Sequence, residues 1–149
     1  MPIPILGRGA LQRTSVSVTF TGASGLGAAG TTTTFFTITG EVILVYLVPF
    51  AVLTLTQNLG TPTLALGVVN ATTLFIGATT ATTLATGEFW TESTGGGTAE
   101  AGIALPAALK DIVISSNIVG TVGGTNNIDG GTLRLDAYWL PLSSSGLVA

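Results

Sequence analysis

The chain has no cysteine and no histidine, and its 149 residues carry only 4 Lys and Arg against 7 Asp and Glu. Without cysteine there is no disulfide framework and no thiolate metal site. Without histidine the commonest proton-transfer group near neutral pH and the commonest metal ligand are both missing. One lysine, Lys110, and a net charge of −3 leave no clustered basic surface to displace counterions from phosphates, so nucleic acid is not an expected partner. Charged residues make up 7% of the chain, where an ordinary soluble domain has about 25%. Its surface must be hydrated by something else, or covered.

Threonine, serine, asparagine and 21 glycines fill that place. Their hydroxyls and amides hydrate well, and β-branched threonine favours extended backbone. The stretch "SVSVTFT" at 15–21 alternates apolar and hydroxyl residues, as a half-buried strand does. Further strands are expected in "TTTTFFTITG" at 31–40, "TPTLALGVV" at 61–69, "TTLFIGAT" at 72–79 and "TTLATGEFW" at 82–90. "IVISSNIVGTV" at 112–122 and "TLRLDAYWLPL" at 132–142 read as two arms of a hairpin with a long connection. In the second arm Leu133, Leu135, Ala137 and Trp139 face one way, and Arg134, Asp136 and Tyr138 the other. A short helical turn is expected only within 103–111. The expected fold is all-β, a jelly-roll-like β-sandwich or a small β-barrel over residues 15–149, preceded by an extended amino-terminal arm at 1–14.

The segment "EVILVYLVPFAVLTL", 41–55, is apolar at both odd and even positions after its first residue. Its 14 uncharged residues fall short of the roughly 20 a membrane helix needs, and Pro49 interrupts them. It reads as a strand buried on both faces, of which a sandwich core covers only one. The other face is expected to meet a second subunit or a larger assembly. The candidate contact residues are Ile43, Val45, Leu47 and Phe50, with Arg8 and Arg13 anchoring the arm. "MPIPILGRGALQRTS" lacks the basic, apolar and small-residue order of a secretory signal, so an outer-membrane barrel, otherwise suited to the length, is not expected.

No motif commits the chain to catalysis or to a cofactor. Gly25-Leu-Gly27-Ala-Ala-Gly30 spells a dinucleotide fingerprint, but "TTTTFF" follows where a helix is required. Asn126-Asn127-Ile128-Asp129-Gly130 offers oxygen ligands without the carboxylate that a calcium loop places at its end, so a turn is expected. Glu88, Glu92 and Glu100 read as solvated loop charges and not as a glycosidase pair. Asn70-Ala71-Thr72 is an incidental glycosylation pattern. Trp90 and Tyr138 would form the platform of a carbohydrate-binding or adhesin-type module, which is the alternative reading.

The order "VTFTGASGLGAAG", "FTITGEVILVYLV", "TLATGEFW" and "IVGTVGGTNNIDGGTLRLDAYWLPLSSSG" resembles the small β-rich head decoration, or cement, proteins of tailed bacteriophages. The resemblance covers the layout of most of residues 15–146 and includes no catalytic signature. It implies a non-enzymatic virion protein, commonly a homotrimer, that binds the major capsid protein on the outside of the assembled head and braces neighbouring capsomers. Residues 42–50 are more apolar than a lone decoration subunit needs, which fits a subunit seam and also a tail, pilus or head-fibre component.

Overall fold

The computed structural model describes residues 10–94 and 103–149. They form ten strands: β1 (Gln12–Thr19), β2 (Thr32–Phe36), β3 (Ile38–Thr39), β4 (Val42–Gln57), β5 (Thr63–Val68), β6 (Ala71–Thr80), β7 (Lys110–Ile114), β8 (Ile118–Gly123), β9 (Ile128–Pro141) and β10 (Leu147–Val148). A front sheet runs β1-β9-β4-β7, a back sheet runs β2-β8-β5-β6, and β10 pairs with β3. Apart from that small ribbon the pairs are nested: β1 with β9, β2 with β8, β4 with β7, β5 with β6, all antiparallel. This nesting, folded into two packed sheets, is a jelly-roll sandwich.

The period-2 pattern places the core between the sheets. Leu133, Leu135 and Ala137 of β9, Val42, Leu44 and Leu47 of β4, and Leu64, Leu66, Ile118 and Val122 of the back sheet are buried together. Trp90 is also fully buried, with its indole N–H donating to Thr79 Oγ1 at 3.0 Å. Trp139 donates to Thr14 Oγ1 at 3.1 Å, and Thr14 in turn donates to the carbonyl of Val148 at 3.0 Å, tying β9, β1 and β10 together.

The long apolar segment is the single strand β4, but its faces are not those that simple alternation gives. On β9, Trp139 and Tyr138 are adjacent; on β4 their partners are Leu44 and Tyr46, so Val45 is an extra residue in a bulge. Parity changes there. Leu44 and Leu47 both point into the core, while Ile43 and Tyr46 share the outer face. Leu47, expected at a contact surface, is completely enclosed by its own chain.

Beyond Tyr46, where β7 ends, the edge of β4 is covered by residues 84–90. This segment is not the regular strand expected at 82–90. It begins after a 3-10 turn at Ala81–Thr83 and bonds β4 irregularly: Leu84 O accepts from Leu55 N, Glu88 O from Ala51 N, and Trp90 N donates to Pro49 O. Thr54 and Thr86 each accept the other's backbone N–H on their hydroxyls, at 2.9 and 3.0 Å. Because Pro49 directs its carbonyl to this irregular edge, its missing N–H costs the β4–β9 ladder nothing.

Two other expectations change, and one is met. Residues 112–122 divide between β7 and β8, and β8 lies in the back sheet while β9 lies in the front one, so no hairpin joins them. Strand β1 begins at Gln12, paired with Trp139, so residues 12–14 belong to the sandwich and not to an arm; residues 1–9 lie outside the described residues. The short helical turn is present as a 3-10 turn at Ala107–Leu109.

The bulge sets a ranking that denaturation can measure. Leu47→Ala, which empties a core position, is expected to cost about 2–5 kcal/mol in urea unfolding. Val45→Ala, in the half-buried bulge, is expected to cost less than half as much. Equal costs would place both residues on one face and remove the bulge.

Candidate functional site

The outer face of the front sheet carries the chain's unusual surface chemistry. Its cross-strand rows follow from the register. Val113, Ile43 and Leu140 form one row; Lys110, Tyr46, Tyr138 and Arg13 the next; then Val48, Asp136 and Ser15; then Phe50, Arg134 and Ser17; and then Leu53, Thr132 and Thr19. The β7–β4 half is apolar and open: Val113 is 57%, Leu53 55% and Tyr46 43% exposed. The β1 half is a ladder of hydroxyls, in which Thr19 and Thr132 share a hydrogen bond at 2.9 Å.

At the centre lies Asp136, buried although its side chain points outward. Arg13 Nε and Nη2 donate to its Oδ1 at 3.1 and 2.6 Å, and Arg134 Nε donates to Oδ2 at 3.0 Å. The guanidinium of Arg13 stands 6.0 Å from the Tyr138 ring centre, and that of Arg134 lies 4.9 Å over Phe50. Tyr46 meets Tyr138 edge-on at 6.3 Å, and Phe89 meets Phe50 at 5.1 Å. Burial pushes the Asp136 carboxyl up, but the Ser15 hydroxyl across the ladder and the two arginines more than offset it, so the group titrates below the ordinary aspartate range. The bond to Asp136 and its charge raise Arg13 in turn. The side chains of Arg13 and Arg134 stay 54% and 40% exposed, which leaves unspent N–H donors facing outward.

Of the residues singled out in the sequence, Arg13, Ile43 and Phe50 reach this face, Val45 sits in the bulge beside it, Leu47 is in the core, and Arg8 lies outside the described residues. Arg134, Asp136, Tyr46 and Val113 are the members missed as contact candidates. Alternation in "TLRLDAYWL" already turned Arg134 and Asp136 outward, but only the register sets them beside Arg13 and Phe50. The sugar platform does not form, because Trp90 is inside and only Tyr138 is at the surface.

The two loops with ligand-like motifs serve each other. Gly25, Gly27 and Gly30 all have positive φ, and a side chain at Gly27 would collide with the carbonyl of Ile128. Asn127 Oδ1 accepts from Ala29 N at 2.9 Å and its Nδ2 donates to Gly22 O at 3.2 Å, so this amide holds the glycine loop. Asp129 accepts from Thr56 Oγ1 at 3.1 Å. A shallow recess of about 130 Å³ between Asn58, Leu59, Thr125, Asn126 and Asn127 is open to solvent. Glu88 accepts from Ala85 N at 2.9 Å and closes its own turn, Glu92 is exposed, and Glu100 lies outside the described residues. Among the described residues no three carboxylates converge on a metal position.

Because the folded Asp136 titrates below its unfolded value, its ionised form stabilises the fold at neutral pH. That contribution is expected to disappear as pH falls below about 4, through the folded value. Asp136→Asn is expected to cost roughly 1–2 kcal/mol at pH 7, discounted for the open arginines, and to flatten the acid limb of stability against pH. Parallel acid limbs for the two proteins would remove Asp136 as its source.

Comparison of the chain with family models, with curated proteins and with solved structures finds no match to any of them.

Proposed function

We propose that this chain is a non-enzymatic structural protein of a virion, a decoration or cement subunit that binds the outside of an assembled phage head, made in the host cytoplasm and acting as a homotrimer. The observation that carries the reading is the open apolar half of the front sheet, where Val113, Ile43, Leu140, Tyr46 and Leu53 stand in its cross-strand rows. Apolar surface of this kind on a rigid sheet is suited to burial against another protein. Its fit here is to the major capsid protein. Such a subunit needs no chemistry: binding the assembled lattice and not its free parts stabilises the lattice by mass action.

The test is cosedimentation with purified, undecorated heads of the phage that carries the gene. Saturable binding and a higher temperature of head disruption are expected. Tyr46→Glu combined with Val113→Glu is expected to weaken binding at least tenfold while leaving the subunit's own melting temperature within a few degrees of wild type. No binding at tens of micromolar, or undiminished binding by the double variant, would overturn the proposal.

A further inference from the structure

The two described arginines and three of the described acids lie toward opposite flanks of the fold. Of the three described basic residues, Arg13 on β1 and Arg134 on β9 hold one buried carboxylate, Asp136, while Lys110 stands apart on β7. The other described acids, Glu41, Glu88, Glu92, Asp111 and Asp129, make no salt bridge among the described residues, whose two ion pairs both belong to Asp136. Three of these acids collect along one flank. Strands β7 and β6 end their respective sheets and share contacts with the 3-10 turn at Ala107–Leu109, so they border the same side. Asp111 is in β7, Glu92 follows the segment that covers β4, with its carbonyl accepting from Thr79 of β6, and Glu88 lies within that segment. The arginines lie toward the opposite flank, on β1 and β9.

We infer that the arginine half of the front sheet receives the acidic β6–β7 flank of a second copy of this chain, so that copies join head to tail. Arg134 uses one of its five N–H donors and Arg13 two within the described chain, and the remainder are placed to bind carboxylates. A two-fold contact through the same half would set these cations against their own copies, which opposes isologous pairing. A heterologous contact closes into a ring when its rotation permits. The arginine half, two strands wide at about 4.8 Å and some ten residues long at about 3.3 Å each, covers roughly 300 Å² in projection. This is smaller than the roughly 800 Å² per partner of a standard interface, in keeping with a contact that charge carries and salt dissociates. The inference rests on reading this sheet as a docking face, but it needs no shell, so its failure is distinguishable from failure to bind heads.

The test is sedimentation equilibrium of the full chain alone. A multiple of the monomer mass is expected at about 50 mM salt, with dissociation at least tenfold easier at 0.5 M. Glu92→Lys with Asp111→Asn alters only exposed positions and is expected to yield a folded monomer, as is Arg13→Gln with Arg134→Gln. An equimolar mixture of the two variants retains one intact face and one intact flank, so it is expected to form a capped pair of two subunits and nothing larger. A wild-type monomer at 100 μM in low salt, salt-independent assembly, a flank variant that assembles normally, or a mixture that stays monomeric would each overturn the inference. The flank variant decides the matter even where the arginine variant fails to fold.

Discussion

Most of the structure depends on the pairing of β4 with β9. These are the two longest strands, joined from Val42↔Pro141 to Gln57↔Ile128 in the middle of the front sheet. Their inner faces supply Leu44, Leu47, Ala51, Leu55, Leu133, Leu135 and Ala137 to the core, and their outer faces supply the rows from Ile43 to Leu53. Two strands of such length cannot stay flat and in step, because right-handed twist accumulates along them. Register shifts at Val45 and again past Ala51 absorb the mismatch. Each shift also chooses which side chains go inside, so the bulges decide the surface as much as the core.

With so few charges, polar satisfaction falls to hydroxyls and amides. Thr54 and Thr86 close the irregular edge of β4, Thr79 receives the Trp90 indole, Thr14 receives that of Trp139, and Asn127 holds the glycine loop. Short side chains of this kind lose less rotamer freedom than lysine or glutamate when fixed in place. Among the described residues, the one ionic centre, Asp136 with its two arginines, is placed in the middle of the sheet that carries the apolar rows.

How much was legible in the sequence follows from the range of each interaction. The strands at 15–21, 31–40, 61–69 and 72–79 were readable because alternation and β-branched residues act locally, and so was the outward turn of Arg134 and Asp136. The all-β jelly-roll class followed from their number and spacing. The Val45 bulge was not readable, since it exists only relative to β9, and missing it placed Leu47 outside. The supposed hairpin failed for a related reason: turn residues at 123–131 bend the chain equally well within one sheet or between two. Strand β10 carries no pattern beyond "LV" and is fixed by reciprocal bonds between Thr37 and Ala149, at 2.7 and 3.0 Å.

The nested order of the strands also sets the timetable of folding. The ion pair of Arg13 with Asp136 spans 123 residues of sequence, and among the described residues β1 has no ladder partner other than β9. During synthesis the first strand must wait, unpaired, until the last long strand has emerged. Only then can the loop entropy of closing the outer pair be recovered. A chain built this way is expected to assemble its sheets late and slowly, and the same late contacts must all be undone together before it can open.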